Sequence, residues 1–202
     1  MSAAGSVRTY FSQRKQAMGA GVLVLVALAF GRVITDHLPD PSSTAVKPFE
    51  RHVGLGETAH LRIGDLKVTA VEGGKTWAGP TEAKLTDGVW VVPTLEMLPN
   101  QEDSAISYAA IRDSEGHVWE RGRGKTMCAL AVAGVPMSCK VSIEIPAQPL
   151  KGAELVLAYD DGDDRYDDRA VIPLTIDAAT IEKWSAATEP ITMPFATIGD
   201  AS

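Results

Sequence analysis

CKVSIEIP, from Cys139 to Pro146, alternates apolar and polar residues more regularly than the rest of the chain. Val141, Ile143 and Ile145 face one way, and the polar residues between them face the other way. A period of two predicts a β-strand that lays one face on a core. Because a half-buried strand needs other elements to cover its apolar face, we expect further strands on either side of it.

Short apolar runs separated by turn residues continue in both directions from this strand. They include TAHLRI, LKVTAVEG, GVWVVPTLEML, ISYAAIRDSEGHVWER, AELVLAY and AVIPLTI. Pro93 interrupts the longest run and predicts an edge position or a bulge, whereas Asp113–Gly116 predicts a hairpin turn. About seven or eight short strands over about 125 residues, without a long helical period, predict an all-β fold, a β-sandwich.

The order of three longer stretches resembles a known family. HVGLGETAHLRIGDLKVTAVEG holds a Gly-Glu-Thr start, GVWVVPTLEMLPNQEDSAISYAAIRDSEGHVW holds a D-x-x-G hairpin, and VPMSCKVSIEIPAQPLKGAELVLAY finishes on Leu155-Val156-Leu157. Over residues 52–176 this order is similar to the telokin-like DUF4352 family, although Pro99-Asn100 is a small departure from its pattern. The resemblance implies an immunoglobulin-like β-sandwich on an exported bacterial cell-surface protein, with a protein contact and no shared catalytic set. It assigns no site residue.

The N-terminal part predicts a membrane anchor. Residues 17–34 carry a single charge, Arg32, and follow three basic residues. A helix of about 18 residues spans about 27 Å, close to the bilayer core of about 30 Å, so we expect a retained transmembrane signal anchor. The basic flank places residues 1–16 in the cytoplasm and the C-terminal domain outside, as a single-pass protein of the cell membrane. A signal peptide cleaved after residues 27–29 (Ala-Leu-Ala) is the alternative, and it exports the domain too.

The linker and the charge distribution fit this arrangement. Residues 35–50 are rich in proline and serine and are expected to be extended. All 26 acidic residues, but only 15 of the 19 basic residues, lie after residue 35. Such a surface repels phosphate backbones, so nucleic-acid binding is disfavoured.

The two cysteines of the chain, Cys128 and Cys139, bracket the stretch CALAVAGVPMSC. In an oxidising compartment an even pair usually forms a disulfide. A metal site is the alternative, but two cysteines without a nearby histidine make a poor zinc set. We therefore expect a disulfide bond between them.

An acidic loop, YDDGDDRYDDR, extends from Tyr159 to Arg169 around Gly162. Calcium takes several oxygen ligands from a flexible loop, so four carboxylates are candidate metal ligands: Asp160, Asp161, Asp163 and Asp164. The spacing does not match an EF-hand, and two arginines offset part of the charge. The other interpretation is a solvated hairpin loop whose acids pair weakly with those arginines.

Motifs of catalysis are missing from the sequence. The four histidines are scattered, without an H-x-x-x-H pair, and no G-x-S-x-G motif supplies a nucleophile. Gly74-Lys75-Thr76 and Gly124-Lys125-Thr126 lack the earlier glycine of a phosphate-binding loop, and we expect both in turns. The chain is therefore predicted not to be an enzyme, with no catalytic residue and no cofactor apart from calcium.

Residues 177–202 follow the predicted sandwich of residues 51–176 as a short helix and a tail. Asp177 is the expected N-cap of the helix. The tail has too many apolar residues for a free acidic segment. Two outcomes are open: the segment covers an open edge or face of the sandwich, or it binds a partner through Trp184 and Phe195.

These features predict a non-enzymatic, membrane-anchored, extracytoplasmic module that binds a protein partner or supports an envelope complex. The alternative is a calcium-dependent binding or sensing module that uses the acidic loop of residues 160–168. A calcium titration separates the two hypotheses.

Overall fold

The computed structural model describes residues 28, 30–32, 48–147, 150–159 and 168–199. The chain divides into two compact units, Met1–Val46 and Lys47–Ser202. The described residues of the first unit are helical and exposed. No helix among the described residues is long and apolar enough to cross a membrane. Most of the predicted anchor, residues 17–34, lies outside the described residues, so the anchor stays a prediction.

Two β-sheets form the second unit. The first sheet has the spatial order β1 (Phe49–His52), β10 (Asp168–Pro173), β9 (Glu154–Tyr159), β5 (Ile106–Arg112) and β6 (Val118–Glu120). The second sheet has the order β11 (Ile191–Thr192), β3 (Gly64–Ala78), β4 (Ala83–Pro99), β7 (Met137–Lys140) and β12 (Thr197–Ile198). In addition, β2 (Thr58–His60) pairs with β3, and β8 (Ile143–Ile145) pairs with β4. Among the described strands, the β1–β10 and β11–β3 pairs are parallel and the others antiparallel.

Side chains of both sheets fill one core between them. Leu66, Val91 and Ile143 of the second sheet belong to the same buried cluster as Ile111 and Leu157 of the first. Each such side chain contributes about 1.5–3 kcal/mol when it is fully buried. This shared core confirms the predicted all-β fold and β-sandwich.

The stretch CKVSIEIP, residues 139–146, places Val141, Ile143 and Ile145 in this core, as expected. Ser142, expected on the solvent face, is also buried. Its hydroxyl oxygen accepts a hydrogen bond from the Lys125 backbone N–H at 2.7 Å. The segment around Lys125 pairs antiparallel beside residues 140–142 and accommodates the Ser142 side chain, so burial does not follow the alternation in the sequence.

β4 is buried on both faces, which accounts for its uninterrupted apolar run. Val89 and Val91 belong to the main core. The residues that alternate with them belong to a second cluster, here called the outer cluster: Trp77, Trp90, Val92, Met127, Ile191 and Met193. Two of these residues come from the C-terminal tail, so the tail helps to cover the outer face of β4.

Pro93 lies within the central strand β4, so the predicted edge position is wrong. β4 pairs with β8 through residues 89–91 and with β7 through residues 94–97. The proline therefore lies where the neighbouring strand changes, and its missing N–H falls at a break in the pairing. The register with β3 also shifts close by, between Val68 and Ala70, which places a bulge near the proline as expected.

The C-terminal helix α1 (Ala178–Ala186) begins where the sequence predicts. The Asp177 carboxylate accepts a hydrogen bond from the Thr180 backbone N–H at 2.7 Å. Trp184 packs against β3 so closely that a Cβ atom on Gly73 would lie 2.0 Å from its ring. After the helix, β11 pairs with β3 and β12 pairs with β7. Of the two outcomes expected for the tail, the described residues therefore show the covering of the sandwich.

Candidate protein-contact surface

Cys128 and Cys139 form a disulfide, as predicted, with their Cα atoms 5.0 Å apart. Cys139 lies in β7, and both cysteines are buried. The Cys139 sulfur lies 3.5 Å from the sulfur of Met97 on the neighbouring strand β4. The bond closes residues 128–139, here called the disulfide loop, and fixes the base of this loop to the core.

The disulfide loop contains no charged residue and exposes two large apolar side chains. Leu130 is 63% exposed and Val132 is 51% exposed, whereas Ala131 between them is buried. Ala131 exchanges two backbone hydrogen bonds with Ser104, at 2.8 and 2.9 Å. Because successive side chains of an extended segment alternate in direction, burying Ala131 turns both neighbours toward solvent.

The tip of the disulfide loop is a turn held by hydrogen bonds. The Val135 N–H donates to the Val132 carbonyl at 3.0 Å. Gly134 adopts a φ of 77°, a conformation that favours glycine. The Ala133 N–H donates to the Asp103 carboxylate at 2.9 Å. Little backbone freedom is then left to lose when the loop binds, which lowers the entropic cost of association.

The end of the tail pairs with the C-terminal part of the disulfide loop. Ile198 of β12 pairs with Met137, and the N–H of the residue after Ile198 donates to the Pro136 carbonyl at 3.4 Å. The Ile198 side chain is 74% exposed and lies beside the turn of the disulfide loop. We define Leu130, Val132 and Ile198 as the disulfide-loop surface.

The two aromatic residues expected to anchor a partner occupy different environments. Trp184 is buried, so its predicted contact with a partner does not fit its position against β3. Its helical spacing is equally typical of a packing residue, and this is the role it has. Phe195 is 66% exposed, and its role as an anchor stays a prediction.

Arg123 and Glu144 form an ion pair beside the outer cluster. Arg123 lies 5.9 Å from the Trp90 ring centroid and contacts the Glu144 carboxylate through two nitrogen atoms. The hydrogen bond from Arg123 holds the pKa of Glu144 below its ordinary value, against the opposing effect of burial. Glu144 also accepts a hydrogen bond from the Thr86 hydroxyl at 2.5 Å. These contacts support the fold of this face.

The first Gly-Lys-Thr triplet, residues 74–76, lies within β3, so its predicted turn position is wrong. Lys75 faces a bulge of β4, and its ammonium group donates to the backbone carbonyls of Asp87 and Gly88, both at 2.8 Å. The second triplet, residues 124–126, follows a turn closed by a backbone hydrogen bond of 2.7 Å. The contacts of Lys75 with the Asp87 and Gly88 carbonyls therefore stabilise the bulge of β4.

Asp113, Glu115 and His117 form a cluster at the hairpin between β5 and β6, with ligand atoms within 4.8 Å of one another. One Asp113 oxygen accepts the backbone N–H groups of Glu115 and His117, both at 2.9 Å. The other oxygen lies 3.0 Å from Nδ1 of His117 and raises the pKa of that histidine. The Asp113 oxygens therefore already stabilise the turn, which explains the cluster without a metal.

The candidate calcium ligands Asp160, Asp161, Asp163 and Asp164 lie outside the described residues. Asp168 is the first described residue after them. One of its carboxylate oxygens lies 3.1 Å from a guanidinium nitrogen of Arg51 in β1. The calcium site therefore stays a prediction.

Sequence reasoning identified both cysteines but not the exposed apolar side chains of the loop that they close. The charge-free run between the cysteines was a readable signal, because interface cores are depleted in charged residues. Ile198 left no such signal, since only the pairing of β12 with β7 brings it beside the loop.

The fold and its cross-linked loop define a disulfide-bonded β-sandwich protein. No protein-family model and no curated protein matches the chain. An uncharacterized β-sandwich protein from Clostridium difficile 630 is similar in structure, with 8% identity and a TM-score of 0.43 over 63% of this chain and 96% of that chain. The yjhA protein from Bacillus subtilis has 20% identity and a TM-score of 0.42 over 59% of this chain and 98% of that chain. The β-sandwich assignment rests on the sheet order and shared core of this chain.

Proposed function

We propose that the chain is a non-enzymatic, membrane-anchored protein whose extracytoplasmic immunoglobulin-like domain binds a partner protein. The disulfide-loop surface is the contact site. The observation that carries this proposal is a charge-free, disulfide-closed loop that holds Leu130 and Val132 in solvent.

The order of the strands supports the immunoglobulin-like assignment. In immunoglobulin domains the second and fifth strands share one sheet, the third and sixth share the other, and the last two form a hairpin. Counted from β3 as the first strand, with β7 and β8 taken together as one, β4 is the second and lies beside the fifth, β7. The third strand, β5, lies beside the sixth, β9, and β9 pairs antiparallel with the last strand of this count, β10. The resemblance to the telokin-like family also implies an immunoglobulin-like β-sandwich. The disulfide is a departure, because in antibody domains it links the two sheets.

The disulfide supports an extracytoplasmic location. Structural disulfides persist in oxidising compartments and are rare in the cytosol. The apolar segment of residues 17–34, with basic residues before it and the acidic residues after it, supports the same topology.

The chemistry of the loop supports a protein partner. Exposed apolar side chains that lie together are unusual on a monomer and mark contact sites. Covering Leu130, Val132 and Ile198 would contribute about 1.5–3 kcal/mol for each fully buried side chain. The net negative charge of the chain after residue 35 favours a partner that carries basic residues.

A pair of variants tests this function. Replacing Leu130 and Val132 together by Asp places two charges in the proposed contact, and Leu85→Asp is the control because Leu85 is 68% exposed on β4. We expect proteins that copurify with the membrane-extracted wild type to be lost from the double variant and retained by the control. Equal copurification with both, at equal melting temperatures, refutes the proposed contact.

A further inference from the structure

A small cavity of about 140 Å³ lies beside helix α1. Its lining includes Leu55 at the rim, Val71 of β3 and the ring of Trp184. Thr175 and Thr180 are its polar side chains, and no charged residue lines it among the described residues. The site shares no residue with the disulfide-loop surface.

Backbone hydrogen bonds fix the walls of this cavity. The Gly56 N–H donates to the Val68 carbonyl at 2.8 Å on one side. The Leu174 N–H donates to the Ala153 carbonyl at 2.8 Å on another. The Asp177 cap holds the first turn of the helix above them. The cavity is therefore preformed, as ligand sites usually are.

The lining selects the chemistry of the occupant. The site is partly open to solvent, and six of its eight lining residues are apolar. An apolar cavity of about 150 Å³ is large enough to bind benzene. We propose that the cavity beside α1 binds one compact, uncharged apolar molecule the size of a six-membered aromatic ring.

Benzene is the probe that tests this site, because it matches the cavity in size and polarity. Benzene is titrated into the isotope-labelled full chain, and amide chemical shifts and melting temperature are followed. We expect saturable shifts centred on Val71, Ile176 and Trp184, together with a higher melting temperature, since a ligand that binds only the folded state stabilises it.

Cavity-filling variants make the test specific. Val71→Phe fills the cavity from the sheet, and Thr180→Ile fills it from the helix in case the first variant folds poorly. Thr192→Ile is the matched control because Thr192 is an exposed residue of β11. We expect the benzene-induced shifts to disappear or shrink in the filled variants and to persist in the control. The proposal fails if benzene shifts no signal of the wild type, or if the shifts keep their size in the filled variants.

Discussion

Gly73 shows how a single residue positions the C-terminal helix. The ring of Trp184 occupies the place where any other residue would have its Cβ atom, 2.0 Å from the nearest ring carbon. The neighbouring Gly74 is different, because an added Cβ would meet Ile191 at 3.4 Å, an ordinary contact. A glycine within a strand can thus mark the place where a large side chain from a distant element packs.

Gly73→Ala is therefore expected to lower the free energy of unfolding by about 1–3 kcal/mol through overpacking, as measured by urea denaturation. The matched change Gly74→Ala should have little effect. In a Trp184→Ala background the Gly73→Ala cost should largely disappear. Equal losses from the two glycine changes would show that Trp184 does not set this requirement.

His117 gives a prediction about pH. Its hydrogen bond with Asp113 raises the pKa of the histidine. The stabilisation from this pair is complete below the ordinary histidine pKa of about 6.5, and it is lost as the pH rises through the higher value of the folded state. An NMR titration should place the His117 midpoint above that of an unfolded peptide, and Asp113→Asn should lower it. An unchanged midpoint in the variant would contradict the pairing.

At the scale of the element, features that depend on neighbours in sequence were predictable. The Asp177 cap, the disulfide and the burial of Val141, Ile143 and Ile145 each follow from a local pattern, although the predicted strand is divided between β7 and β8. Features that depend on distant neighbours were not. Ser142 is buried because the segment around Lys125 pairs beside it, and Pro93 is tolerated in a central strand because β4 changes its partner there.

The C-terminal segment should be part of the folded domain. Truncation after Ile176 removes the buried residues Trp184, Ile191 and Met193. We expect the free energy of unfolding to fall by at least about 2 kcal/mol, given the apolar area exposed. Truncation after Ala196 removes only β12 and should cost less. A truncation after Ile176 that melts like the full chain would refute the structural role.

The disulfide should stabilise the domain as well as shape its loop. Replacing Cys128 and Cys139 together by Ala should lower the free energy of unfolding by about 3 kcal/mol, because the unfolded chain regains the entropy that the closed loop removes. Urea denaturation measures this loss. Thiol counting on the unreduced wild type provides the control: no free thiol is expected, and two would argue against both the bond and export.

At the scale of the whole molecule, an acidic chain contains a charge-free loop with exposed apolar side chains. The chain after residue 35 is strongly acidic, yet residues 128–139 carry no charge and residue 198 adds an exposed isoleucine beside them. A net negative charge opposes the approach of further copies of the chain, whereas a charge-free loop loses little free energy when water is removed from it. Both properties fit the proposed contact of the disulfide-loop surface with a partner protein.

The central claim is that the disulfide-loop surface touches a partner, and photo-crosslinking in the native host tests it most directly. A photoreactive amino acid replaces Leu130 in one version of the full chain, Ile198 in a second and the exposed Leu85 in a third. We predict the same discrete protein adduct from the Leu130 and Ile198 positions and none from the Leu85 position. No adduct from the first two positions in correctly folded chains, or an equal adduct from all three, would contradict the claim.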